Sequence, residues 1–240
     1  MATPASHCSL RDRIVLVTGA SRGLGRAMAG ALMERGARVI AASRHPDPDG
    51  PGVKLPVDVR DPASVAGLFD QIRERFGRLD VLVNNAGLMV GDRDLAEVDP
   101  ALWDTVLATN LHGAYYCARQ ALELMPEGGA IVNISSGAAV RTGFLNIAYG
   151  VSKAGLDRLT LGLADALRPR NIACLSLSPP VSATDTVRAM YPDRNVDSFA
   201  RPPAWTALTL CTLLENHPMQ HSGEVVPVRQ YLVSRGLLDE

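Results

Sequence analysis

A chain of 240 residues and 25.6 kDa, 47% hydrophobic and 20% charged, has enough apolar material for one substantial core. Its 24 basic and 25 acidic side chains leave a formal net charge of -1, which excludes a surface given over to nucleic acid or anionic membrane. No run approaches the roughly 20 uninterrupted apolar residues of a membrane helix, and the first ten residues lack the basic start and apolar block of a secretory signal, so a cytoplasmic protein is expected.

Apolar runs alternate with helical patterns from end to end. This is the mark of an α/β protein, a single doubly wound Rossmann-type parallel sheet with helices on both faces, read as one domain over residues 1–240. Ile14-Val15-Leu16-Val17 is a buried strand that runs into the turn Thr18-Gly19-Ala20-Ser21-Arg22-Gly23-Leu24-Gly25. A helix follows over about residues 24–35 and stops at Gly36. Glycines in such a turn allow close backbone approach, so a pyrophosphate can sit on the free N–H groups at the helix start. Arg38-Val39-Ile40-Ala41-Ala42 is the second strand. Residues 45–56, dense in proline and glycine, read as a loop, with Val57-Asp58-Val59 ending a short third strand.

Asp61-Pro62 and Asp99-Pro100 open helices as N-cap and N1 pairs. Leu79-Asp80-Val81-Leu82-Val83 is the fourth strand and leads into Asn84-Asn85-Ala86-Gly87. Ala130-Ile131-Val132-Asn133-Ile134 is the fifth, and residues 172–177 form the sixth. A long helix over about residues 148–167 separates these two. Residues 178–203 read as irregular and are expected to form a substrate lid. A last helix covers about residues 204–214, and Glu224-Val225-Val226 is the final strand.

Tyr149 and Lys153 stand at i and i+4 near the start of the long helix, on one face and about one turn apart. A cation there favours phenolate, so the tyrosine pKa is expected to fall from its usual value near 10. A tyrosine so tuned exchanges a proton with a carbonyl or alcohol oxygen. The only other lysine in the chain is Lys54; every other basic residue counted is arginine. Ser136 sits at the C-terminal end of the fifth strand, the edge where open α/β sheets bind ligands. Cys8, Cys117, Cys174 and Cys211 are scattered, with Cys174 read as a small buried hydrophobe. Pro218 breaks the helical spacing of His217 and His221, so no metal is expected.

With these motifs in this order, the sequence resembles the short-chain dehydrogenase/reductase family over roughly residues 11–184. Thr18 to Gly25 resembles the family's TGxxxGxG cofactor turn, and Asn84 to Gly87 its NNAG motif. The resemblance implies a catalytic set of Asn110, Ser136, Tyr149 and Lys153. Tyr149 protonates a carbonyl oxygen that Ser136 holds, while Lys153 tunes the phenol and binds the ribose. Asn110 helps hold a water that links Lys153 to solvent. Cofactor contacts are implied at Gly19, Ser21, Arg22, Gly23, Leu24, Gly25, Ser43, Arg44, Asp58, Val59, Asn85, Ala86, Gly87, Tyr149, Lys153, Pro179, Val181 and Thr184. Asp58-Val59 matches the pair that contacts the adenine.

NAD-selective relatives place an acid at the end of the second strand. Here Ser43 stands in its place, Arg44 follows, and Arg22 occupies a second position where NADP-using relatives are basic. NADP(H) is the cofactor expected, with reduction as the usual direction. Pro180 replaces the family's glycine after Pro179 and removes a backbone donor, leaving Thr184 or Thr186 to meet the carboxamide or pyrophosphate. The tail from Gly223 to Val228 lacks the family's Asp-Gly-Gly ending. Leu88-Met89-Val90, residues 140–147 and the loop after Pro180 are expected pocket walls, with Arg141 and Asn146 as polar hooks. They favour a small, apolar carbonyl or alcohol substrate. The alternative on the same fold is a redox-neutral epimerase or an NADP-binding regulatory protein. The family commonly pairs through its YxxxK helix and the helix before it, which implies a homodimer or homotetramer. Leu156, Leu159 and Leu163 form a stripe facing either sheet or partner.

Overall fold

The computed structural model describes residues 9–90, 99–142 and 147–239. Asn146 and Cys8 lie outside these. Seven strands form one parallel sheet in the order β3-β2-β1-β4-β5-β6-β7. They are β1 (Ile14–Thr18), β2 (Arg38–Ser43), β3 (Val53–Pro56), β4 (Val81–Asn84), β5 (Ala130–Ile134), β6 (Ala173–Ser178) and β7 (Val225–Pro227). The chain winds outward from β1 to β3 and then returns to lay β4 on the other side of β1. That reversal opens a crevice at the C-terminal ends of β1 and β4, where such sheets bind ligands.

Helices cover both faces: α1 (Gly23–Glu34), α2 (Pro62–Phe76), α3 (Pro100–Leu107), α4 (Gly113–Ala121), α5 (Ile147–Leu167), α6 (Asp185–Met190), α7 (Pro203–Glu215) and α8 (Val228–Ser234). The expected caps are present. Asp61 accepts from Ala63 N and Asp99 from Ala101 N, both at 2.9 Å, each ahead of a proline in the first turn. Central strands are apolar on both faces because each is covered twice. One core layer joins Val15, Val17, Met28 and Leu32 to Leu210 and Leu214 of α7. The other joins Leu16, Ile40, Leu68 and Phe69 to Cys117, Ile131 and Cys174 on the α2, α4 and α5 side.

Two expectations need correction, and a third was open between two faces. The third strand is Val53–Pro56, inside the stretch read as a loop, and residues 57–59 follow it. Only Leu55 of this strand is buried, and at the sheet's edge a terminal proline takes no ladder bond from the sheet. Residues 178–203 are not irregular throughout. Thr184 caps α6, accepting from Val187 N at 3.4 Å, and Val187, Val196 and Ala200 form a small core with Met89, Tyr191 and Phe199. In the leucine stripe, Leu156 is buried and Leu163 packs on the core, so those positions face the sheet.

Candidate active site

The glycine-rich turn is locked from beneath. Thr18 Oγ1 accepts from Asn85 N and Ala86 N, both at 3.1 Å, and Asn85 Nδ2 donates to Thr18 O at 2.8 Å and Gly19 O at 3.1 Å. The NNAG turn is thereby stitched to the turn after β1. Gly25 has no room for a side chain, since a Cβ there would stand 2.3 Å from Gly19 O and 2.5 Å from Asn85 Nδ2. Gly19 has φ +66°, a left-handed backbone that glycine adopts without strain. At the head of α1 the N-cap, Arg22, makes no side-chain capping bond, and the first turn has no acid. The amides at this helix start, with the positive end of its dipole, are left to an anion, so the residues present fit a pyrophosphate. Thr184 comes to the same place, its Cγ2 being 3.3 Å from where a Gly23 Cβ would lie.

At the end of β2, Ser43 is buried with an Oγ that finds no hydrogen-bond partner. Arg44 and Arg22 are exposed, and neither is held in a salt bridge among the described residues, whereas Arg26 is paired with Asp47 at 2.6 Å. Asp58 and Val59 follow β3. The Asp58 carboxylate is clamped by Arg60, with Nη2 to Oδ2 at 2.5 Å, and that hydrogen bond holds its pKa below the ordinary value. Val59 is buried in the core, pressed against Gly113, where a Cβ would lie 2.8 Å away. Asn85, Ala86 and Gly87 follow β4, while Pro179 and the exposed Val181 follow β6. The main chain around Ser182 pairs with Arg201, and Ser182 Oγ donates to Pro180 O at 3.0 Å.

Tyr149 and Lys153 sit on α5, buried at 8% and 4% exposure. Ser136, just past β5, accepts from Ala138 N at 3.2 Å and meets the Tyr149 phenol. Lys153 Nζ donates to Ile134 O at 2.7 Å and lies 5.7 Å from the Tyr149 ring centroid. The expected fall in the Tyr149 pKa is not seen: burial raises it, and the hydrogen bond from Ser136 opposes that rise. The ammonium is turned onto a backbone carbonyl, and burial drives Lys153 itself down to about 8, with Asp157 opposing.

Asn110 occupies a π-helical turn, Ala108–His112, between α3 and α4. Its side chain is engaged at both ends: Oδ1 accepts from Leu88 N at 2.7 Å, while Nδ2 donates to Leu88 O at 3.0 Å and Ser152 Oγ at 2.9 Å. Ser152 Oγ donates in turn to Tyr149 O at 2.7 Å. Asn110 therefore fastens the NNAG loop to the tyrosine helix. Gly87 borders both groups, since a Cβ there would lie 3.6 Å from Asn110 Oδ1 and 3.7 Å from Lys153 Nζ. Sequence reasoning missed Thr18, Ser152 and Asp157. The hydroxyls sit next to motif residues, which was the available signal.

A parallel sheet with an anion-ready first turn and, at its switch point, a Ser–Tyr–Lys cluster whose tyrosine and lysine are buried is that of a dinucleotide-binding oxidoreductase. The chain belongs to the short chain dehydrogenase family, which it matches over residues 13–195. It is 36% identical over 187 residues to a 3beta-hydroxysteroid dehydrogenase of Mediterraneibacter gnavus, covering 73% of this chain and 67% of that one. It is 34% identical over 210 residues to a 3-oxoacyl-(acyl-carrier-protein) reductase of Salmonella typhimurium, covering 82% and 84%. Among solved structures it resembles a short chain dehydrogenase of Burkholderia cenocepacia in complex with NADP, with TM-score 0.82, 26% identity and coverage of 92% and 97%. None of its helices among the described residues is long and apolar enough to cross a membrane.

Proposed function

We propose that this oxidoreductase is NADP(H)-dependent and interconverts a carbonyl and a secondary alcohol on a small apolar substrate, working mainly as a reductase. The observation that carries the cofactor choice is the end of β2. A buried Ser43 replaces the acid that would repel a 2′-phosphate, and two exposed arginines outside any salt bridge among the described residues, Arg22 and Arg44, flank it. The α1 amides would hold the pyrophosphate, and Asn85 to Gly87, Pro179, Val181 and Thr184 would line the rest of the cofactor's path. Bound there, the nicotinamide supplies the hydride.

The chain's own part is placement and proton transfer. Ser136 hydrogen-bonds the substrate oxygen, and Tyr149, kept protonated by burial, gives that oxygen its proton. Lys153 supplies the adjacent positive charge and a ribose contact. Asn110 holds the loop carrying Leu88 at a fixed distance from Tyr149 through Ser152. Exposed Val140, Ile147 and Val181 give the surroundings an apolar surface, and residues 178–203 close over them as a lid. A hydroxysteroid and an oxoacyl chain, the substrates in two relatives' names, are of that apolar kind. We further propose a cytoplasmic homodimer or homotetramer, supported by exposed Tyr115 on α4 and Val151 and Leu161 on α5. The test is turnover of NADPH and NADH against a panel of ketones and aldehydes. Apolar ketones should be reduced with at least a tenfold lower KM for NADPH, about 1.4 kcal/mol. Equal use of both cofactors would reject the reading.

A further inference from the structure

α5 carries three ionisable side chains in one row, Tyr149, Lys153 and Asp157, at four-residue spacing. The proposed chemistry uses the first two. The Oδ1 of Asp157 is shielded from solvent and completes no hydrogen bond among the described residues. Burial raises the pKa of its carboxyl, and the hydroxyls of Ser135, directly after β5, and Ser176, on β6, together with the Lys153 charge, oppose that rise; Ser135 Oγ has no other hydrogen-bond partner among the described residues. Ser176 Oγ is itself fixed, 2.8 Å from Thr160 Oγ1. Thr160 accepts from Asn133 Nδ2 at 2.8 Å, and Asn133 Oδ1 accepts from Asn84 Nδ2 at 2.9 Å. A row of buried hydrogen bonds thus runs from the NNAG turn, across two strands, to Ser176, beside this carboxylate. A solvated surface acid has no use for such a seat.

Lys153 needs a counter-charge. Its ammonium is buried, its one hydrogen bond among the described residues goes to the neutral Ile134 carbonyl, and a buried charge without compensation is unfavourable. The packed elements offer little else. β5 and the residue after it present Ile134 O and Ser135, β6 presents Ser176, the turn after β5 presents Ser136, and the π-helical turn presents Asn110 through Ser152. Among the described residues the titratable groups in this row are Tyr149, Lys153 and Asp157, and the last two act on each other across one helical turn. We propose that Asp157 is a positioning residue, the counter-charge seated by Ser135 and Ser176 that keeps Lys153 in its ammonium form beside Tyr149. This rests on the reading of Tyr149 and Lys153 given above.

The chain's two lysines make the test direct. Protein labelled with carbon-13 at lysine Cε gives two resonances, and Lys54→Arg identifies Lys153. Titrated without cofactor, Asp157→Asn should lower the Lys153 midpoint by about one pH unit or more, and Asp157→Glu should restore most of it. An Asp157→Asn midpoint equal to wild type overturns the proposal. Should that variant not fold, the wild-type curve decides: protonation of Asp157 must appear as a second, acid inflection of the Lys153 resonance, and a flat acid limb overturns the proposal. None of these measurements needs turnover. A shifted midpoint in a protein whose kcat pH profile is unmoved supports the counter-charge and refutes instead the catalytic reading of Lys153.

Discussion

Lys153→Met should make the cofactor-free protein more stable at neutral pH while abolishing its activity. A lysine whose pKa drops from 10.5 to about 8 on folding has its charged form disfavoured by about 3 kcal/mol in the native state. Below pH 8 both folded and unfolded chains carry the proton, so the whole penalty falls on the native state. Between pH 8 and 10.5 the unfolded chain binds more protons than the native one, so wild-type stability rises with pH through that window. Methionine has no charge to bury, but it abandons the bond to Ile134 O, worth about 1 kcal/mol. The net expectation is a gain of about 2 kcal/mol at pH 7, or about 4–8 °C in Tm for a chain of this size. By pH 10 the gain should have vanished. Urea denaturation of both proteins at pH 7, 8.5 and 10 reads this directly. A variant less stable than wild type at pH 7, or one whose advantage does not change with pH, would refute the reasoning.

Tyr149→Phe keeps the ring and removes the proton donor, so kcat should fall about 10²–10⁴-fold with NADPH affinity nearly intact; near-normal ketone reduction would reject Tyr149 as the acid. Arg44→Ala and Arg22→Ala should each weaken NADPH binding about tenfold, the low end for a charge-assisted contact because both side chains are exposed, and should leave NADH binding alone. Calorimetric titration with both cofactors checks this, and an NADPH preference untouched by either change counts against it. Gly25→Ala forces a methyl toward Gly19 O and Asn85 Nδ2 and should destabilise by about 1–3 kcal/mol, with loss of cofactor binding; unchanged thermal unfolding would show that the turn can yield.

The sheet was legible because buried parallel strands announce themselves as short apolar runs, and Asp-Pro pairs and glycines mark the helix ends. Legibility failed where burial does. Val53, Lys54 and Pro56 are exposed on an edge strand, so their composition looks like the loop beside them. Short α6 and α8 hold few buried residues, too few for a helical period to emerge. At the site, residue types and order pointed to Ser136, Tyr149 and Lys153, which the fold brings to one edge. What spacing cannot convey is a partner distant in sequence. The bonds from Asn110 to Leu88 and Ser152, the Lys153 bond to Ile134 and the seat of Asp157 all depend on how strands stack.

The π-helical turn at Ala108–His112 holds one residue more than a regular helix would, and Asn110 is in it. Deleting one residue there, Thr109 for instance, would let α3 and α4 fuse into an unbroken helix. Each residue advances a helix by about 100°, so the deletion would also swing position 110 away from Leu88 and Ser152. A shortened protein that melts later yet turns over nothing would show that this irregularity is maintained against the helix's own preference. The length of the chain between Asp99 and Ala121 is then itself under functional constraint, separately from which residues fill it.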